Sequence, residues 1–254
     1  GNELDVASAL VLGYKDKLDA ELKRSYSNAG AMHVLAVSGL HVGIIFLVFT
    51  QMLTFLGRWK IMRYIRAALL VGLLWSYALL TGMSPSVMRA ATMFTFIIIG
   101  QSLQRQPNIY NSIAASAFVM LLINPFLIMD VGFQLSYLAV LGIVYMQPRI
   151  YKSIYLRFWL LDKLWALVAV SIAAQIATFP ISLYYFHQFP NYFLLSNFLV
   201  IPAATVILYL GLLLFVTSPI PAVADLIGWL LLWCVRGLNA GVQWIEQLPN
   251  SVTS

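Results

Sequence analysis

Met32-His33-Val34-Leu35-Ala36-Val37-Ser38-Gly39-Leu40-His41-Val42-Gly43 runs straight on into Ile44-Ile45-Phe46-Leu47-Val48-Phe49. Two histidines, a serine and two glycines thus sit within an apolar stretch long enough to cross a bilayer. Polar side chains are costly in hydrocarbon, and those found there line a water-filled path or a contact between helices. Gly39 and Gly43 form a G-x-x-x-G face that lets a neighbouring helix approach closely. The stretch therefore offers a packing surface and a polar surface together.

The composition outside this stretch places it in a membrane protein. Of 254 residues, 61% are hydrophobic and 9% charged, where a soluble domain carries about 25% charged residues; the mean hydropathy is +0.87. The formal charge is +6. Cys234 is alone, so no internal disulfide forms. The chain opens Gly1-Asn2-Glu3-Leu4-Asp5, without an initiator Met, and reads as a piece of something longer.

The expected fold is all-α: a polytopic transmembrane helical bundle of about eight membrane segments, some broken or short, preceded by an amphipathic surface helix. Residues 1–30 form that helix. Lys15/Asp19, Lys17/Glu21 and Asp19/Lys23 pair opposite charges at i,i+4, while Val11, Leu18 and Leu22 share a face. Residues 31–254 form the transmembrane domain, with apolar cores near 34–56, 65–83, 86–103, 110–129, 131–147, 163–186, 192–216 and 222–248. Pro125, Pro180 and Pro202 interrupt several of them. Such breaks are tolerated where protein or water satisfies the freed backbone, often along a transport path.

Basic loops orient the bundle. Arg58, Lys60, Arg63 and Arg66 crowd the first connection, Arg105 the third, and Arg149, Lys152, Arg157 and Lys163 the fifth. With eight spans all three fall on one face, which the positive-inside rule makes cytoplasmic. The loops at 82–86, 129–131 and 187–191 and both termini then lie outside.

The polar residues acquire depths from that topology. His33, Ser38 and His41 belong to the outer half of the first span. Ser84 is a natural N-cap and Pro85 suits the first helical position, so Arg89 projects from about the first turn beside free N–H groups. Such a turn binds anions, phosphate above all; the alternative is an arginine reaching to lipid headgroups. Asp130 caps the fifth span, with Gln134 and Ser136 deeper. Gln175, Asn197 and Arg236 lie in the sixth, seventh and eighth; Arg236 costs about 2.5–3.5 kcal/mol if centred in the bilayer.

Catalytic readings are poorly supplied. Ser38 and His41 are three apart on one helix, and a serine nucleophile also needs an orienting partner and an oxyanion hole that the sequence does not display. His33 and His41 stand about 80° apart around a helix with no Cys or Glu pair to complete a metal site. No Walker A sequence is present. No metal or cofactor is expected.

At these residues the chain resembles the competence domain of the ComEC family, inner-membrane DNA-uptake proteins of natural transformation. The resemblance rests on His33-x4-Ser38-Gly39-Leu40-His41-Val42-Gly43, on Arg89-Ala90 and on Asp130-Val131-Gly132-Phe133-Gln134-Leu135-Ser136, with Pro180, Asn197 and Pro202 as later landmarks. It extends from about Leu10 through the eighth segment. It implies passage of single-stranded DNA into the cytoplasm across the inner membrane. It also implies partners: a DNA receptor, a cytoplasmic motor or strand-binding protein, an N-terminal OB-like domain and a C-terminal metallo-β-lactamase-like domain. No H-x-H-x-D-H cluster occurs here, so a nuclease activity is not carried over and the chain is expected not to be an enzyme.

A strand needs a polar path with aromatic faces on which bases stack. His33, Ser38, His41, Arg89, Gln134, Ser136, Gln175 and Asn197 would supply the first, and Tyr137, Tyr184, Tyr185, Phe186 and Tyr192 the second, although interfacial belts have the same composition. Two alternatives stand beside this one. One is a secondary transporter of a small anion, with Arg89 as binding residue; the other is an intramembrane hydrolase using Ser38.

Overall fold

The computed structural model describes residues 2–14, 18–35, 37–57, 60–105, 108–187, 189–249 and 252–253. Of Asn2, His33, Gly57, Lys60, Phe189, Pro190, Val252 and Thr253 it describes the backbone alone. The protein is an all-α, multi-pass membrane bundle, with one two-residue antiparallel pairing of β1 (Phe189–Pro190) with β2 (Val252–Thr253). The eight apolar segments appear as α4 (Gly39–Met52), α5 (Lys60–Leu80), α6 (Pro85–Ser102), α7 (Ile109–Ile123), α8 (Val131–Lys152), α9 (Trp159–Phe186), α10 (Phe193–Thr217) and α11 (Pro221–Glu246). Among the described residues, α5 and α8 to α11 are long and apolar enough to cross a membrane; α4 and α7 are apolar but shorter.

The first apolar segment is broken. A single turn, α3 (Met32–Leu35), precedes α4, and Ser38 between them is extended, with φ −111° and ψ 172°. Ser38 caps α4 because its hydroxyl suits a helix start better than a helix interior. His33 and His41 therefore stand on different helices, and their expected angular separation on one helix does not apply. The 14 residues of α4 rise only about 21 Å, short of the roughly 30 Å of hydrocarbon.

The helix expected over residues 1–30 is two helices. α1 (Asn2–Leu12) ends at Gly13, whose φ of +80° is left-handed, and α2 (Ala20–Asn28) restarts at Asp19, whose carboxylate accepts the Glu21 N–H. Lys15 and Lys17, and their two expected ion pairs, lie outside the described residues. The prolines also behave otherwise than expected. α9 and α10 run on through Pro180 and Pro202, as α8 does through Pro148, each helix forgoing one backbone bond. Pro125 instead opens a 3₁₀ turn, Pro125–Met129.

The helices form two compact units, one of Gly1–Val37 with Gly142–Ser254, the other Ser38–Leu141. In the first, α1 packs against α10 and α11, with Val6, Ala9 and Leu10 fully buried. Gly211 of α10 makes room for Val11, since a Cβ there would lie 2.7 Å from Val11 Cγ2. Polar bonds tie the N-terminal helices to α11: Tyr26 donates to Asn239 Oδ1 and Asn28 to Glu246 Oε1, both at 2.8 Å. Arg236, the costly charge of the eighth segment, donates from Nε to Glu3 Oε1 at 2.9 Å and lies 5.6 Å from the centroid of the Trp233 ring.

That bond holds the Glu3 carboxyl below its ordinary value. A depressed folded value stabilises the protein above the unfolded carboxylate range of about 4 to 4.5, and the gain is lost as pH falls through the lower folded value. The melting difference between the wild type and a Glu3→Gln variant should thus be constant near neutrality and shrink below about pH 4. A difference that does not change with pH would mean the carboxylate charge is not what Arg236 binds.

In the second unit α6 is central, packed against α4, α5 and α7. Val87, Ala90, Ala91 and Ile98 of α6 are buried, as are Val42 and Ile45 of α4, Leu74 and Ala78 of α5, and Ile113 of α7. Phe46 stacks on Phe94 at 4.8 Å, and Trp75 Nε1 donates to Thr95 Oγ1 at 3.2 Å. This packing fixes which face of α6 is buried.

Candidate functional site

The turn into α6 is tight. Gly82 (φ +74°) and Met83 (φ +51°) are left-handed, Ser84 is the N-cap and Pro85 the first helical residue. Long side chains on a helix fold back over the preceding turn, and Arg89 does so: its Nη2 donates to Ser86 Oγ at 3.0 Å. Arg89 is only 4% exposed. It is enclosed by protein and does not reach to lipid headgroups, which removes the lipid-anchoring alternative. Its Nε and Nη1 are buried with no protein partner, and among the described residues it belongs to no salt bridge. Phe133 of α8 lies under the guanidinium, 6.0 Å from its centre.

Beside Arg89 is a cavity of about 100 Å³, lined among others by Gly39, Ser86, Phe94, Ser136 and Tyr137. Gly39 is the first residue of α4 and Ser86 the second of α6, so two helix starts border it. The Ser84 side chain makes no capping bond, leaving the first turn of α6 without its usual acceptor. Hydrogen accounting fixes the role of Tyr137. Ser116 Oγ donates to Ile113 O at 2.8 Å, so in the 3.1 Å contact between Ser116 Oγ and the Tyr137 hydroxyl it is Tyr137 that donates. Tyr137 thus offers the cavity its ring and an oxygen lone pair, while the donors come from Arg89 and the serines.

Of the residues expected in the path, Arg89 and Ser136 line this cavity. Ser38 and His41 pair with each other: His41 Nδ1 accepts the Ser38 backbone N–H at 3.2 Å and lies 3.0 Å from Ser38 Oγ. This is a capping box with histidine where glutamate is usual. His41 Nδ1 thus stands against both the backbone N–H and the hydroxyl of Ser38, and His41 is 1% exposed. Gln134 turns back to donate to Ile128 O at 2.8 Å, and Asp130 Oδ1 caps α8 by accepting the Phe133 N–H at 2.6 Å. Gln175 and Asn197 belong to the other compact unit, Gln175 half-buried and Asn197 with a buried, unpartnered Oδ1. The side chain of His33 lies outside the described residues.

Sequence reading gave Ser86 no role, although its i−3 spacing from Arg89 is the available signal. It also could not separate Tyr137, which lines the cavity, from Tyr184 and Phe186, which are exposed. Gly39 and Gly43 approach α6 without crowding: added Cβ atoms would meet Ala90 Cβ at 3.6 Å and the Phe94 ring at 3.5 Å. The tight approach lies elsewhere, at Gly142, where a Cβ would come within 2.3 Å of Ala177 Cβ.

A family model described as Competence protein matches residues 10–254. The chain is 33% identical over 200 residues to the ComE operon protein 3 of Bacillus subtilis (strain 168), covering 79% of this chain and 24% of that one. It is 36% identical over 135 residues to an uncharacterized protein of Aquifex aeolicus (strain VF5), covering 51% of this chain and 30% of that one. The matches thus span less than a third of the length of either relative. No solved structure matches the chain significantly.

Proposed function

The chain belongs to the Competence protein family, and from that premise we propose that it is the membrane channel domain through which single-stranded DNA enters the cytoplasm during uptake. The observation that carries this reading is Arg89: a buried guanidinium with unpartnered donors, beside a cavity at helix starts. A buried charge is retained in a membrane domain where it meets an opposite charge, and the phosphodiester backbone supplies one at every nucleotide. The domain is a passive conduit in the bacterial inner membrane, neither nuclease nor motor. Work is supplied by a cytoplasmic motor or strand-binding protein, and the strand is delivered by a receptor and by OB-like and metallo-β-lactamase-like domains outside this chain.

Both termini and the 82–86 turn face outward in this reading, so Arg89 stands near the entrance. In a background with Cys234 replaced by serine, a cysteine at position 60 should label only from the cytoplasm. External labelling in intact cells would invert the assignment. Contact with the strand has its own test. A photo-crosslinking amino acid at Tyr137, in cells that still take up DNA, should trap the incoming strand, whereas one at Leu79, which is exposed on α5, should not. No trapping at position 137 would move the path away from this cavity.

A further inference from the structure

We infer that the Arg89 cavity is a site for a single phosphate group, blind to base and sugar, which also binds free inorganic phosphate. It rests on the strand-conduit reading only for the physiological source of that phosphate. The size argument comes first. At about 100 Å³ the cavity is well below the roughly 300–1,000 Å³ of pockets that enclose organic ligands. A tetrahedral oxyanion fits there, while a nucleoside does not, so bases and sugars must stay outside.

The donors suit the same guest. Nε and Nη1 of Arg89, both fully buried, carry three N–H groups without partners in a fixed plane, and Arg89 lines the cavity. Ser86 Oγ accepts from Arg89 Nη2, which leaves its own proton free to donate. The starts of α4 and α6 add two positive dipole ends, and Ser136 adds a second hydroxyl. Two acceptors stand near this cluster, the Tyr137 hydroxyl oxygen and the Asp130 carboxylate. Asp130 has its Oδ1 engaged at the start of α8 and, among the described residues, forms no ion pair with Arg89. The site combines fixed donors with one cation, an arrangement that holds an oxyanion weakly enough for a strand to move on.

Titration calorimetry of the full chain in phosphatidylcholine nanodiscs, with inorganic phosphate as the probe, tests the inference. One phosphate per chain is expected. Arg89→Gln should weaken binding at least about tenfold, with Arg89→Lys in between. Ser86→Ala, which leaves the charge in place, should weaken it a few-fold and serves if the Arg89 variants fail to fold. A short oligodeoxynucleotide and its abasic counterpart should displace phosphate equally, and phosphatidylglycerol added to the nanodiscs should not. Absence of phosphate binding, binding unaffected by Arg89→Gln, displacement by the anionic lipid alone, or a preference for the base-bearing strand would each overturn the site. Phosphate binding in the wild type together with normal DNA uptake by Arg89→Gln cells would uphold the site and remove it from the strand path. Lost uptake without phosphate binding would do the reverse.

Discussion

An Arg89→Met protein should lose DNA uptake by at least about tenfold while melting at a higher temperature than the wild type. The two effects have one cause. Enclosing a guanidinium that forms no ion pair costs several kcal/mol even after relaxation, and Arg89 is 4% exposed with two of its nitrogens unpartnered and Asp130 nearby but not bonded to it. Against that stand the Ser86 bond, about 1.5–3 kcal/mol for a charged donor, and the Phe133 contact. At 6.0 Å that contact lies at the outer limit for a cation over a ring and contributes under about 1 kcal/mol. Desolvation wins. Methionine keeps the apolar stem, fills most of the space and leaves only half-buried Ser86 short of a partner, so a gain of about 1–2 kcal/mol is expected. A residue that destabilises the resting protein yet is needed for activity marks a ligand site. Thermal melts in detergent and uptake counts in cells read the two halves separately. A lower melting temperature would mean that Asp130 compensates the Arg89 charge even without a direct bond; unchanged uptake would take Arg89 off the path.

How much of this was legible in the sequence differs between fold and site. The eight expected segments all appear as helices, α4 to α11, and among the described residues five of these are long and apolar enough to cross a membrane, because the length and purity of an apolar run are direct properties of composition. The break in the first segment was hidden because Ser38 sits inside an unbroken apolar run, where a helix cap and a polar lining residue look alike. The Ser38-x-x-His41 spacing is that of a capping box with an uncommon partner, and only the Nδ1 contact identifies it as one. Arg89 was visible as a cation at a helix start, but its enclosure was not, since burial depends on what α4 and α8 place around it. Gln134, legible as a polar residue at the same level, spends its donor on the Ile128 carbonyl. The glycines invert the expectation most clearly. The G-x-x-x-G pair had the motif and has ordinary clearance, whereas Gly142, in Val140-Leu141-Gly142-Ile143, has no motif and comes close to the backbone of α9.

Gly142→Ala should therefore be strongly destabilising, more so than the same change at Gly43 or Gly241, costing about 3 kcal/mol. A Cβ at this position would lie 2.3 Å from Ala177 Cβ and 2.9 Å from the Ala173 carbonyl oxygen. Neither can yield. Ala177 has no rotatable side chain, and the Ala173 carbonyl belongs to the α9 backbone, so α8 itself would have to move away. Small residues at such crossings provide the dispersion contacts that hold membrane helices together, and a displaced helix loses those at the crossing. Gly241 is a useful contrast. Its Cβ would also fall 2.3 Å from an atom, but that atom is Leu199 Cδ2 at the end of a side chain that can rotate. Gly241→Ala should cost under about 1 kcal/mol, because alanine recovers roughly that much helix propensity. Gly43→Ala, meeting Phe94 at 3.5 Å, should be neutral or slightly stabilising for the same reason. Melting temperatures of the three variants in one detergent should fall in the order Gly43→Ala, Gly241→Ala, Gly142→Ala, from highest to lowest. A Gly142→Ala protein that melts with the wild type would show that α8 and α9 do not meet at Gly142, and the packing of α8 against α9 would have to be redrawn.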